Sequence, residues 1–514
     1  MPAASLTAHD TTRLRADTLV SSVVILLAAS VIQRTVGFGR GILFCRWLEP
    51  GELGQWEMAY SFLLLAAPLA VLGVPGSFGR YVEFYRQQGR LGTFLRRTTV
   101  WTAILSLTSV GLILLAAPYF SDVIFGRSTQ TTLVALVAVS LAAVILHHFL
   151  EALFTGLRMF RIVSMMHFAQ SLGFAAISLS LLCWWKLGAS SIVIGYGAAC
   201  LISAAGAISW LLPALRELPE ERGAVAVPHR TFWPKLLRFA FWVWMTNLLA
   251  GLFAVVDRYM LVHWGKLSAD EALVQVGHYH SSRVVPLLLL SVAELLSGIL
   301  LPYLSQDWEA GRRQAVHQRL NFVLKATSLL AFAGGVCVLL AAPLLFGVAL
   351  KGKYEGGLAV LPLTLTYCAF NGLAVVALTY LWCAERTFLS AVPMAVALIA
   401  NVCLNMMLVP RYGLAGAVVG TTIANAACLV TVYWLSRLIG MQFDFGTLAL
   451  SALPAALIGG PEMAVPVLAV TIAAICNCPS LFSQREREEL SEWRNAWIRR
   501  YDGFRDSRRN SSIP

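Results

Sequence analysis

The sequence predicts an all-α polytopic membrane protein of about fourteen transmembrane helices, arranged as two six-helix lobes related by an internal repeat plus two C-terminal helices. Three observations predict it. Hydrophobic residues make up 58% of the 514-residue chain and charged residues 13%, where a soluble domain is about 25% charged and 45–50% apolar. Apolar runs of about 18–25 residues, enough to cross about 30 Å of hydrocarbon, recur from end to end. Lys and Arg are dense and sparse by turns in successive connecting segments. Barrel strands would instead alternate at period two over about ten residues.

Spans are predicted at 18–38, 57–75, 98–117, 131–154, 162–185, 190–212, 239–261, 281–301, 326–346, 358–382, 388–409, 412–436, 446–460 and 463–478. Arg13 and Arg15 precede the first run as in a signal peptide. That run meets Gln33 and Arg34 with no small-residue cleavage site behind it, so it is expected to be retained. The organisation is then a cytoplasmic N-terminus (1–17), an N-lobe (18–212), a cytoplasmic linker (213–238), a C-lobe (239–436), spans 13 and 14 (446–478) and a cytoplasmic tail (479–514). In the tail, Leu490, Trp493 and Trp497 recur at helical spacing among alternating charges. That pattern suits either an amphipathic helix on the anionic inner leaflet or a solvated charged tail.

With the N-terminus inside, cytoplasmic segments hold 28 of the 39 Lys and Arg and outer segments hold eight. The other three, Arg34, Arg258 and Arg283, fall inside spans. Both termini are therefore expected in the cytoplasm. The net charge of +12 lies in short loops, which argues against nucleic acid and for contact with membrane lipids. Most of the ten cysteines lie in apolar runs, where they act as small hydrophobes. Neither Cys476 and Cys478 nor His278 and His280 completes a four-ligand metal set, so no metal and no cofactor is expected.

The second half of the chain repeats the first at an offset of 218–225 residues. VDRYMLVHWGKLSADEALVQVGHY (256–279) mirrors FGRGILFCRWLEPGELGQW (38–56), with Gly277-His-Tyr on Gly54-Gln-Trp. Gly89-Arg90 falls on Gly311-Arg312, and Gly188 and Gly195 on Gly413 and Gly420. Six spans repeating as six give two copies of like orientation, related by an axis along the membrane normal, as in many transporters. Gly37, Gly39 and Gly41 fall where the first span ends. They suit either a hinge or close helix packing.

At these residues the chain also resembles a known family. CRWLEPGELGQWEMAYSF (45–62), ALFTGLRMFR (152–161), FAFWVWMTNLLAGLFAVVDRYML (239–261) and NVCLNMMLVPRYGLAGAVVGTTIA (401–424) are similar, in order and spacing, to segments of bacterial oligosaccharide flippases of the multidrug/oligosaccharidyl-lipid/polysaccharide exporter superfamily. Cys45 and Glu49 replace the usual Ala and Gly, and fourteen spans match the related lipid II flippases. The resemblance implies a non-enzymatic flippase for a polyprenyl-pyrophosphate-linked oligosaccharide. The repeat suits alternating access, a buried acid suits H+ or Na+ coupling, and glycan polymerases or glycosyltransferases are candidate partners.

Candidate site residues follow from chemistry. An arginine at a span centre costs about 2.5–3.5 kcal/mol on insertion scales. Arg34, Arg258 and Arg283 lie near outer span ends, where they suit either snorkelling to head groups or a cavity that binds pyrophosphate bidentately. The resemblance favours the cavity for Arg34 and Arg283. Asp257 and Arg258 are adjacent and so point about 100° apart, toward different partners. Glu294, expected deep in span 8 between Ser291 and Ser297, and Asp257 are candidates for ion coupling. His147 and Glu151, at i,i+4 spacing beside His148, suit an inner gate or a structural cluster. Asn371, Asn401 and Asn405 suit sugar hydroxyls or helix joints.

Two rival functions are weaker. A multidrug antiporter would want acids and aromatics for organic cations, which three intramembrane arginines oppose. A membrane glycan polymerase, ligase or glycosyltransferase would need a large outer domain, and the longest outer loop expected is about twenty residues (262–280).

Overall fold

The computed structural model describes residues 19–216, 229–477 and 481–482. The amphipathic tail reading falls outside them. Among the described residues every regular element is helical and no strand is present. The helices are α1 (Leu19–Trp47), α2 (Pro50–Ala70), α3 (Phe78–Gln87), α4 (Leu91–Leu115), α5 (Ala117–Phe125), α6 (Thr131–Gly156), α7 (Phe160–Trp184) and α8 (Ala189–Arg216). They continue as α9 (His229–His263), α10 (Ala269–Arg283), α11 (Pro286–Glu309), α12 (Arg313–Leu344), α13 (Glu355–Cys383), α14 (Ala391–Leu438), α15 (Phe445–Ala452) and α16 (Gly460–Asn477). Nine described helical segments are long and apolar enough to cross a membrane. The pair Pro50–Ala70 and Val74–Gln87, bent by 62°, makes a tenth if it is one span.

All fourteen predicted spans fall on helical segments, but the boundaries differ in informative ways. The stretch 262–280, expected as an outer loop, is mostly α10. Its charges form a cap: the Glu271 carboxylate accepts the Ser268 N–H at 3.0 Å, and the Ser268 hydroxyl accepts the Glu271 N–H at 3.4 Å. Hydrogen bonds from the Ser268 hydroxyl and backbone hold the Glu271 carboxyl below the usual carboxylate range. Span 8 accordingly starts later than expected, at Pro286, and Arg283 is the last residue of α10. Likewise α1 does not end at its glycines but runs through them to Trp47, leaving Leu48 and Glu49 as the whole turn. Spans 388–409 and 412–436 are one helical segment kinked at Gly413, whose φ of 54° and ψ of −128° demand glycine.

Contacts divide the chain into two compact units. The first holds Met1–Leu288, Ala342–Leu361 and Met394–Ala424. One core of this unit forms at the α2–α3 bend, where Phe78, Tyr85, Phe94, Phe149, Phe154 and Phe232 are all buried. Near the α1–α2 turn, Lys353 Nζ lies 2.7 Å from Glu49 Oε1, and the Tyr354 hydroxyl donates to the Leu48 carbonyl at 3.1 Å. Arg127 pairs with Asp270, bringing α10 to the α5–α6 loop.

Two close contacts in this unit come in matched pairs. A Cβ on Gly54 would lie 1.8 Å from the Leu273 carbonyl oxygen, and one on Gly277 would lie 1.9 Å from that of Pro50. A Cβ on Gly188 would lie 2.5 Å from Glu52 Oε1, and one on Gly413 would lie 2.9 Å from Gln275 Oε1. Left-handed φ angles recur at Gly188 and Gly413 (57° and 54°). Each contact maps onto its counterpart at an offset of 223 or 225 residues, inside the range read from sequence.

The second unit holds Leu289–Ala341, Pro362–Pro393 and Asn425–Pro514. Within it Lys325, 1% exposed, pairs with Asp444 at 2.7 Å, and Asp444 also caps α15 through the Thr447 N–H at 2.6 Å. Asp307 is held between Arg312 and Arg319 at 2.8 and 2.7 Å.

A buried ion network as the candidate functional site

In the first unit, α2, α9 and α10 bring a set of ionisable side chains together. α2 supplies Glu57 and Ser61, one turn apart on the same face. α9 supplies Asp257 and Arg258, and α10 supplies Tyr279, His280 and Arg283. α2 and α10 can meet because Gly54 and Gly277 let their backbones touch, and Glu57 and His280 each follow that crossing by three residues.

Glu57 is 5% exposed and is the centre of the network. His280 Nδ1 lies 2.6 Å from its Oε2, and a guanidinium nitrogen of Arg283 donates to its Oε1 at 3.2 Å. Arg258 Nε lies 3.0 Å from the same Oε1 as a charge contact without an aligned hydrogen bond, while its terminal nitrogen donates to Ser61 Oγ at 2.8 Å. Buried carboxylates persist when donors and opposite charge replace their hydration, and Glu57 has two hydrogen-bond partners and the Arg258 guanidinium beside them.

Asp257 faces other partners, as its position beside Arg258 requires. Its Oδ2 accepts from the Tyr279 hydroxyl at 2.6 Å, and its Oδ1 accepts from the Arg258 backbone N–H at 2.9 Å. Thr421 Oγ1 lies 3.4 Å from Oδ2 and accepts from Asn401 at 3.2 Å, and Asn405 donates to Asn401 at 2.6 Å. The asparagines Asn401 and Asn405 are thus helix joints, fully buried. The Arg283 guanidinium also lies over the Tyr279 ring, 5.3 Å from its centre, linking the two carboxylates.

The structure therefore brings together Asp257, Arg258 and Arg283. Arg258 is 3% exposed and is taken up by Glu57 and Ser61, whereas the Arg283 side chain retains 17% exposure. Arg34 sits half-buried on α1. Glu294, expected as the deepest acid, lies on an exposed face of α11 in the second unit, although Ser291 and Ser297 beside it are buried. Glu294 shares its exposed face with Gly298, one turn further along α11. Glu57 and Asp257 are the deeply buried acids of the first unit's spans.

His147 and Glu151 do share a face of α6, but Glu151 bonds elsewhere. Its two oxygens contact His148 Nδ1 at 2.9 Å and His167 Nε2 of α7 at 2.8 Å. Of the glycines, Gly39 has no neighbour within 4 Å of a would-be Cβ and Gly37 meets only the tip of Arg40, so neither permits a close approach. Gly41 packs on Val284 at 3.2 Å.

Three groups were not singled out from sequence. Glu57 stood at the edge of a predicted span, and His280 was considered only as a metal ligand. Extending the Gly54/Gly277 alignment by three residues places Glu57 on His280, and elements that cross at equivalent glycines bring equivalent residues together. That was the available signal. The third group is an aromatic cradle of Trp56, Tyr60, Phe174 and Tyr196 with ring centres 5.0–5.8 Å apart, over which Arg40 stacks 4.0 Å from the Phe174 centre.

Long apolar helices enclosing paired charges define a multi-span membrane protein. The chain belongs to the polysaccharide biosynthesis protein family, whose profile matches residues 19–308. It is 24% identical over 420 residues to the uncharacterized membrane protein YabM of Bacillus subtilis (strain 168), covering 76% of each chain. Among solved structures it is similar to the lipid II flippase MurJ in an inward closed conformation, at 14% identity and a TM-score of 0.68, covering 88% of this chain and 98% of that one. It is also similar to an inward-facing multidrug resistance MATE family transporter of the MOP superfamily, at 14% identity and a TM-score of 0.61, covering 83% and 98%.

Proposed function

We propose that this protein flips a polyprenyl-pyrophosphate-linked oligosaccharide from the inner to the outer leaflet of the cytoplasmic membrane by alternating access, without enzymatic chemistry. The observation that carries the reading is membership of the polysaccharide biosynthesis family over more than half the chain, joined to a fold shared with a lipid II flippase. The matched glycine contacts and φ angles support two copies of one six-span unit, and the charge asymmetry supports cytoplasmic termini. Arg283, the more exposed of the two arginines on Glu57, and Arg34 on α1 are the cations for the pyrophosphate, while Arg258 holds the network together. Asp257, with Tyr279 and Thr421 on one oxygen, is the candidate for H+ or Na+ coupling.

The test is export in cells. Arg34→Ala and Arg283→Ala should each abolish glycan export while the protein still reaches the membrane, and Lys should rescue only partly because it lacks the planar fork. Full export by both alanine variants would leave structural roles for these residues.

A second reading is favoured by the aromatic cradle and the MATE-like fold: a cation-coupled drug antiporter. Its weakness is that Glu57, the acid nearest the cradle in sequence, is already held by two guanidiniums and an imidazole.

The glycines bear on alternating access. Because a Cβ on Gly37 would meet only the Arg40 tip and one on Gly39 nothing, the double alanine variant should fold normally and stiffen α1 by about 2 kcal/mol. If α1 bends in the other access state, that shifts the populations about thirtyfold and slows export. Unchanged accessibility of cysteines along α1 would refute the hinge.

A further inference from the structure

The histidine–glutamate cluster joining α6 to α7 is not used by the transport reading. The ligand atoms of His147, Glu151 and His167 all lie within 4.8 Å of one another. His147 is 4% exposed, and its Nδ1 is buried with no hydrogen-bond partner. A buried imidazole nitrogen left without a partner costs free energy unless something else satisfies it. His167 Nε2 already meets Glu151 Oε1 at 2.8 Å, and the other carboxylate oxygen is held by His148 Nδ1 at 2.9 Å.

We propose that His147, Glu151 and His167 form a site for a divalent transition-metal ion, Zn2+ being the best fit, which clips α6 to α7. Two imidazoles and one carboxylate make a nitrogen-rich donor set that suits Zn2+ and disfavours Mg2+ and Ca2+, which want oxygen ligands. Tetrahedral coordination at about 2.0–2.1 Å spaces ligand atoms about 3.3 Å apart, so the wider separations close by no more than about 1.5 Å while the His167–Glu151 pair opens by about 0.5 Å. The metal would take the place of the proton between His167 and Glu151 and meet a histidine nitrogen of His147. His148 then acts as the outer partner that orients the ligating carboxylate, a recurrent feature of metal sites. The side chains of Glu151 and His167 keep 27% and 32% exposure, so an ion can reach the site and water can complete its coordination. No metal set was expected from sequence because the third ligand comes from a different helix, 16 residues beyond Glu151.

The test uses full-length, tag-free protein in detergent, stripped with chelator and titrated with ZnCl2. Wild type should bind one tight equivalent and gain thermal stability, which chelator reverses. His167→Asn and Glu151→Gln should weaken that equivalent by more than a hundredfold, and His148→Ala by about tenfold. Unaltered binding in both ligand variants, or no saturable binding by wild type, would overturn the site. Should the variants fail to fold, Co2+ added to wild type decides the matter. A tetrahedral visible absorption band, displaced by one equivalent of Zn2+, supports the site, and its absence overturns it.

Discussion

Replacing Glu57 by alanine is expected to destabilise the protein by about 3–5 kcal/mol, the range for removing one partner of a buried ion pair. The substitution leaves Arg258, Arg283 and His280 facing one another without the carboxylate they share, and Arg258 is 3% exposed. The cost is chiefly that of uncompensated buried charge rather than of lost attraction. A second substitution should therefore rescue the first: Glu57→Ala with Arg258→Leu should recover a substantial part of the loss, since the most buried cation has gone too. Detergent-phase thermal unfolding of the two single variants and the double variant provides the cycle. A loss under about 1 kcal/mol for Glu57→Ala, or a double variant no better than the single, would mean that water reaches and screens the network.

Gly54→Ala and Gly277→Ala are expected to be about equally damaging, at about 3 kcal/mol or more each. A methyl group at either position falls within 2 Å of a carbonyl oxygen of the facing helix, and backbone cannot rotate aside as a side chain can. The helices must separate, which loosens the α2–α10 contact and with it the pairing of Glu57 to His280. Because both methyls act by separating the same two helices, the double variant should cost clearly less than the sum. Gly39→Ala, with open space around it, is the control that should leave unfolding unchanged or slightly raised. Strict additivity of the two damaging substitutions would argue against one shared crossing.

The bundle was legible in the sequence because apolar length and the Lys/Arg asymmetry are local properties. Span edges were less so. α10 was read as a loop because Asp270 and Glu271 look like loop charges, although acids behind a serine are also what the first turn of a helix favours. The continuation of α1 through three glycines was missed since glycine lowers helix propensity without forbidding a helix. At the site, Asp257, Arg258 and Arg283 stood out as charges inside apolar runs. Glu57 did not, because it is the first residue of its predicted span, where a charge marks only a span edge, and its partners are some 200 residues away. Glu294 drew attention by depth alone, whereas which face of α11 it occupies depends on neighbours that no single span reveals.

The most direct test of the flippase reading is leaflet exchange in liposomes that contain only this protein and a fluorescent polyprenyl-pyrophosphate oligosaccharide. With the lipid initially in both leaflets, a membrane-impermeant quencher or glycosidase removes about half the signal when no exchange occurs. The account predicts that liposomes containing the protein go beyond that half toward complete loss, at a rate that rises with an imposed H+ or Na+ gradient. A signal that stops at the protein-free level, from liposomes in which the same preparation expels an organic cation, would contradict it and establish the antiporter instead.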